Sequence, residues 1–379
     1  MRSVVNGTIF DNEAKINPMC KKFVFISFSL FSVFMLVAWN YSALANKELI
    51  VYKASDSFEK DWFVVDSLMM KGLDKTAAQK VERILEKAEN TQNYNQVYKA
   101  TLYIARLSSS FTEESLEKTI IELEQKTNIY IYPLSAIFHS ALGNIYQNYF
   151  HQNSWKFNQR TELQSEPTDD IKTWDLKTIV KRMQFHFDAS LQETEKLKRT
   201  PINYFEPILT DQKSTFSEEN EIQRYLYDLL VKRAIDFYNS GQASLPDPID
   251  VFSIDDSIVF AANHQFVKYT FLTTDTFSNE WKALKLYQSW TTFLLEENNL
   301  TALADATIKR LQYAKSYYQG EEKEAMYYRS IQELHEQLND HVSSARTAYE
   351  IANYLKQMYD DDSSAIHKNK LKDAADLDR

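Results

Sequence analysis

Apolar residues recur every three or four positions along most of this chain, the period of a helix that buries one face. From Asp74 to Asn90 the stripe is Ala77, Ala78, Val81, Ile84, Leu85 and Ala88, with Lys and Glu on the other side and Gly72 and Asp74 at its start. A partner stripe follows in Val97, Ala100, Ile104 and Leu107, and a third in Leu116, Ile120 and Leu123. A fourth begins after Pro133 with Leu134, Ile137, Phe138, Ala141, Ile145 and Tyr149. Proline suits a helix start, where its missing N–H costs nothing. Leu176, Ile179, Val180, Met183, Phe187 and Leu191 predict another long helix, and Ile222, Leu226, Leu229 and Phe237 one more. Four helices close the series: Trp281–Leu295, Leu300–Tyr318, Glu321–Leu338 and Ser343–Tyr359.

The links between these last helices are very short, which makes sequence neighbours antiparallel neighbours in space. The expected fold is therefore all-α: stacked antiparallel helical hairpins, a tetratricopeptide-like α-solenoid. The final pairs have roughly the 34-residue length of such a unit, although the consensus pattern is incomplete. Two stretches break the periodicity. Ser154–Asp170 is polar and reads as a long loop. Gly241–Thr276, with Pro246, Pro248 and the segment Ser257-Ile258-Val259-Phe260, reads as an irregular crossover containing short helices. The expected organisation is residues 1–45 as a signal peptide, 46–240 as an N-terminal helical region, 241–276 as the crossover, 277–360 as C-terminal helical hairpins, and 361–379 as a polar, frayed tail.

Composition agrees with that fold class. Only 5 Gly and 7 Pro occur in 379 residues, too few to punctuate a β-sandwich or barrel, and too few for a Gly-rich phosphate loop. Hydrophobic residues at 44% and charged residues at 25% fit a folded protein rather than an extensively disordered one. The formal charge of −10 argues against nucleic-acid binding, which needs a basic footprint.

The N-terminus reads as an address. Lys21 and Lys22 precede an apolar run from Phe23 to Trp39, and Ala43-Leu44-Ala45 follows. The pattern predicts a secretory signal peptide cut between Ala45 and Asn46, with Met19 read as the initiator and the preceding residues as a mis-called start. The alternative is an uncleaved anchor, for which the run is short. Membrane contact is thus expected through this segment only, and the destination is the periplasm or cell envelope. Cys20, the sole cysteine, leaves with the signal, so neither disulfide, thiolate metal site nor cysteine nucleophile is expected in the mature chain. The first 45 residues carry a net +2 and the remainder −12.

Motifs for chemistry are near misses. His335-Glu336-Gln337-Leu338-Asn339 lacks the second His of the His-Glu-x-x-His zinc motif. Leu334 and Leu338 lie on the apolar stripe, so a surface His and Glu are expected instead. There is neither a Gly-x-Ser-x-Gly elbow nor a close pair of histidines at i, i+4, and His139 reads as a packed residue of its helix. Asp360-Asp361-Asp362 lacks the spaced ligands and glycine of a calcium loop and reads as a solvated end. The 23 Tyr, 23 Phe and 6 Trp could form a carbohydrate- or peptide-binding face, or could fill seams between helices, the reading favoured here. No catalytic, cofactor-binding or metal-ligating residue is nominated, no cofactor is expected, and the protein reads as a non-enzyme with protein partners. A glycan hydrolase on a helical barrel would need two facing carboxylates, which the sequence alone cannot pair.

Several segments, in order, resemble the N-terminal helical region of the alpha-2-macroglobulin family proteins of Bacteroidetes-type bacteria. They are Trp62–Tyr103, His139–Thr161, Ile171–Ile179 (IKTWDLKTI), Leu226–Phe237 (LYDLLVKRAIDF) and Trp281–Leu311, which ends in LADATIKRL. The resemblance spans about residues 58–360 and lies in order and spacing rather than in any one piece. It implies an exported envelope protein whose relatives entrap an attacking endopeptidase after it cuts a bait segment. Two departures stand out. Relatives often have Pro-Thr where Arg224-Tyr225 precedes Leu226, which puts a turn there in question. Relatives are also several times longer, with many β-sandwiches and, in some, a Cys-x-Glu-Gln thioester. This chain contains neither a nameable bait segment nor a mature cysteine, so no family functional residue carries over. Two functions follow as expectations. One is the helical module of such an inhibitor, acting as scaffold or docking surface. The other is a stand-alone periplasmic tetratricopeptide-like protein-binding module.

Overall fold

A computed structural model describes residues 58–160, 170–202, 222–241 and 251–361, all within one packed unit, residues 55–379. The expected signal peptide and start site, and nearly all of the polar tail, lie outside the described residues. Among the described residues regular structure is helical, with two isolated β-bridges and no strand. The all-α expectation holds at that level.

The N-terminal series is α1 (Glu59–Met70), α2 (Asp74–Asn90), α3 (Tyr94–Leu107), α4 (Glu113–Ile129), α5 (Leu134–Gln159), α6 (Leu176–Ser190) and the single turn α7 (Thr194–Leu197). Then come α8 (Leu226–Asn239), the single turn α9 (Asn263–Phe266), α10 (Asn279–Glu296), α11 (Leu300–Tyr317), α12 (Lys323–Gln337) and α13 (Ser344–Asp361). Helix α1 is not marked by the sequence periodicity, because its apolar residues do not share a face. Trp62 and Val65 are buried while Phe63, Val64 and Met70 face outward.

Three hairpins turn in the same way. Helix α1 ends at Gly72, α2 at Gln92 and α10 at Asn298, each with a positive φ of 69°, 51° and 51° respectively. In every case two bonds tie the link back to the preceding helix. Gly72 and Leu73 donate to Met69 and Leu68, Gln92 and Asn93 to Glu89 and Ala88, and Asn298 and Asn299 to Leu295 and Leu294. This is the Schellman closure, which satisfies orphan carbonyls at a helix end. The next residue starts the new helix: Asn93 and Asn299 accept from the backbone N–H of Gln96 and Ala302. A three-residue link thus stops one helix and caps the next.

Most sequence neighbours pack on each other: α1 on α2, α2 on α3, α4 on α5, α5 on α6, then α10 on α11, α11 on α12 and α12 on α13; α3 breaks the series by packing on α5 rather than on α4. Helix α8 contacts α5 and α6 on one side and α10 on the other, so packing continues past residues 241–276. The stripes read from the sequence are the seams: Ala77, Val81, Val97, Ala100, Leu116, Ile145, Ile179 and Val180 are all buried. Tyr98, Tyr146, Tyr149, Tyr227, Tyr238 and Tyr287 are among the largest fully buried side chains, so these aromatics fill seams as expected. Helices α5 and α6 approach closely at Gly143, where an added Cβ would lie 2.8 Å from the Phe187 ring.

One local expectation is corrected and one open point is resolved. The loop read as starting at Ser154 begins later, because α5 runs on to Gln159. Phe157 explains the extension: it is buried and packs edge-on to Tyr149 at 6.0 Å, holding a polar-looking turn in the helix. The turn in question at Arg224-Tyr225 is replaced by extended backbone. Ile202 donates to Arg224 and Leu226 to Thr200, and α8 still begins at Leu226. Asp228 makes that start, accepting the backbone N–H of Tyr225 at 2.9 Å and of Arg224 at 3.1 Å.

The described part of the crossover carries a 3₁₀ turn at Ser257–Phe260 and helix α9, and is otherwise irregular. Arg310 of α11 holds it down. Its guanidinium, 1% exposed, donates to the carbonyls of Val259 and Ala261 and stacks 4.3 Å over Phe266.

Candidate functional site

Two features of the folded chain combine polar groups in a way that packing alone does not require. The first lies where α4, α5 and α6 meet. Glu124 of α4 points one oxygen, Oε1, at four donors. These are the Tyr146 hydroxyl at 2.7 Å, the Arg182 Nε and Nη2 at 2.9 and 2.7 Å, and His186 Nε2 at 3.0 Å. The other ring nitrogen of His186, Nδ1, lies 3.0 Å from Nδ1 of His139 on α5. Aromatic rings fix both imidazoles: Tyr146 stacks on His186 at 5.3 Å, and Phe185 meets His139 edge-on at 5.9 Å.

The electrostatics of this cluster follow from burial and pairing. Burial pushes the Glu124 carboxyl up, but the His186 hydrogen bond and charge, the Tyr146 hydroxyl and the Arg182 cation together bring it down to about 2. Burial pulls His186 below its usual value despite the Glu124 carboxylate. His139 falls to about 4, through burial and then its neighbour His186. At neutral pH the ion pair is therefore Glu124 with Arg182, and both imidazoles are uncharged. Neutral His186 donates from Nε2 to Glu124 and so presents a bare Nδ1 to His139. His186 is fully buried and lies between Glu124 and His139, both of which are half-buried.

The second feature is a groove of about 590 Å³ across α11, α12 and α13. Tyr327 and Tyr354 line it, with Lys315 over their rings at 5.1 and 5.4 Å. Tyr328 stacks on Tyr354 at 4.9 Å. Glu350 accepts from Tyr327 and Gln312, and the amides of Asn353 and Gln357 complete the walls. Side-chain amides beside aromatic faces suit an extended peptide, whose backbone needs both donors and acceptors.

The sequence near misses fall as follows. His335 gives its Nδ1 to Thr347 at 2.9 Å, Leu334 and Leu338 are buried, and Asn339 is exposed. Asp360-Asp361-Asp362 lies outside the described side chains. Asp305, buried on α11, is held by Arg346 at 2.8 Å and Lys309 at 3.5 Å, tying α13 to α11. Asp228 accepts from the Trp290 indole at 2.9 Å, and burial raises its carboxyl to about 6 in spite of its donors. Among the described residues no group of three or more His, Cys, Asp or Glu is placed to hold a metal, and no helix is long and apolar enough to cross a membrane.

The pairing of His139 with His186 is not visible in sequence spacing, since the residues are 47 apart on different helices. The signal that could find it is register. His139 and Tyr146 are two turns apart on α5, and Arg182 and His186 one turn apart on α6, so each pair shares a face. The chain matches no family model, no curated protein and no solved structure.

Proposed function

We propose that this chain is the helical module of an exported, alpha-2-macroglobulin-like envelope protein. The module is a tetratricopeptide-like solenoid that serves as scaffold and docking surface, and endopeptidase inhibition belongs to the full-length protein. One observation supports the reading: each resembling segment places aromatic or acidic residues in a helix seam. Trp62, Tyr98, Tyr146, Trp174, Tyr227, Asp228 and Trp290 lie within the resembling segments and are all buried. A shared pattern made of helix-to-helix contacts is what a shared scaffold leaves in a sequence.

The solenoid reading rests on the last two hairpins. Asn279–Tyr317 and Lys323–Asp361 each span 39 residues, and α11 packs on both α10 and α12. From the start of one hairpin at Asn279 to the next at Lys323 is 44 residues, about ten more than a tetratricopeptide period, so the likeness is one of stacking rather than of consensus. The tyrosine- and amide-lined groove across α11–α13 favours the second reading, a stand-alone module that grips a peptide there.

Entrapment distinguishes the two. The native protein, captured from envelope extract with an antibody against residues 58–160, is incubated with trypsin. Entrapped trypsin keeps its activity on a small chromogenic peptide and loses it on casein. Trypsin with equal activity on both substrates, and no trypsin retained on the antibody, would remove the inhibitor reading.

A further inference from the structure

The geometry points to a divalent transition-metal site, for Cu²⁺ or Zn²⁺, formed by Nδ1 of His139 and Nδ1 of His186 and backed by Glu124. This site is independent of the inhibitor reading. Three features of the cluster carry it.

The first is distance. Metal–imidazole bonds of about 2.0–2.1 Å meeting at about 90–110° set two nitrogens about 2.9–3.4 Å apart. The two Nδ1 atoms are 3.0 Å apart as they stand. The ion lies off the line joining them, so the His139 ring turns about its side-chain bonds to reach it while His186 stays on Glu124.

The second is the outer partner. A metal-binding imidazole nearly always gives its far N–H to a carboxylate or carbonyl, which fixes the tautomer and strengthens the donor. His186 Nε2 sits 3.0 Å from Glu124 Oε1 in that role. The Glu124 charge is balanced by the two Arg182 bonds to the same oxygen, so the ion meets a cluster without net charge.

The third is access. His186 is fully buried, but His139 is half-buried and its neighbour Phe185 is 49% exposed. The ion reaches the pair from the His139 edge, and water completes its coordination there. On binding, the proton on Nδ1 of His139 leaves through solvent and Nε2 of the same ring takes one up, so no net proton is released.

The test uses the purified chain without a histidine tag at pH 7.5, titrated with CuCl₂ and, separately, ZnCl₂. Cu²⁺ is read by electron paramagnetic resonance and both ions by equilibrium dialysis. One equivalent of metal should bind, with the copper signal coupled to two imidazole nitrogens. His139→Gln keeps a polar group against His186 and removes a ligand; it should weaken binding at least tenfold. Glu124→Gln should weaken it by about 10–100-fold. A variant with His264, His335 and His341 all changed to Ala should bind as the parent does. Circular dichroism reports whether each variant keeps its helices, and the parent's two-nitrogen signal is read without any variant. Equal affinity in His139→Gln, loss of binding in the triple variant, or no bound metal at 100 µM each overturns the assignment.

Discussion

Replacing Gly143 by Ala sets two effects of known size against each other. In mid-helix an alanine is worth about 1 kcal/mol more than a glycine. At this position the new methyl would lie 2.8, 2.9 and 3.0 Å from three carbons of the Phe187 ring. The ring is buried and is stacked 4.5 Å from Phe237 at an interplanar angle of 19°. It cannot swing away without breaking that stack, so either α5 and α6 move apart or the ring leaves its rotamer. Such overpacking costs about 1–3 kcal/mol. The sum is a net loss of up to about 2 kcal/mol, read as a fall in the urea midpoint at unchanged slope. Phe187→Leu in the same background should recover part of the loss, giving a coupling energy well above the ~0.3 kcal/mol of independent sites. A Gly143→Ala chain more stable by about 1 kcal/mol, or full additivity with Phe187→Leu, would refute the close contact between the two helices.

Other outcomes follow from single residues. Gln92, left-handed at φ 51° where α1 ends in glycine, should gain up to about 1 kcal/mol as Gln92→Gly, seen in thermal unfolding. Asp228→Ala leaves the Trp290 indole and two backbone N–H groups without their acceptor; it should cost about 3 kcal/mol or more by denaturant unfolding. Glu124 has its pKa lowered to about 2, so its stabilisation, about 2 kcal/mol or more, is complete above the unfolded value near 4.5. That stabilisation is lost as pH falls toward 2, and Glu124→Gln should flatten this limb of a stability–pH curve. His139, lowered to about 4, resists the proton that the unfolded chain takes up near 6.5. Stability should therefore decline as pH falls from 6.5 to 4, and His139→Gln should make that slope shallower, His186 supplying the remainder.

The helices that sequence period identifies are those with one buried face. Helix α2 is the clearest, since Ala77, Val81, Ile84 and Ala88 are buried at the spacing that predicts it. Helix α1 escapes notice because Phe63 and Met70 face outward on the flank of the face that buries Trp62 and Val65, and no narrow stripe results. The end of α5 escapes for the opposite reason: a single Phe157 holds a turn made otherwise of polar residues. Three-residue links can be read as short, but their left-handed middle residue is Gly in only one of three cases. Gln92 and Asn298 carry little local signal of it. The Glu124–His186–His139 chain is legible only once three helices are in register, because no two of its members are neighbours in sequence. Arg310 is likewise silent in sequence, its partners being backbone carbonyls about 50 residues away.

The most direct measurement of the central claim is the size and location of the native polypeptide. Cells are fractionated into cytosol, periplasm and envelope and probed with an antibody raised against residues 58–160. The expected result is a band in the envelope fraction several times larger than the 44.4 kDa of this chain. A single cytosolic band at about that mass would contradict both export and membership of a longer inhibitor.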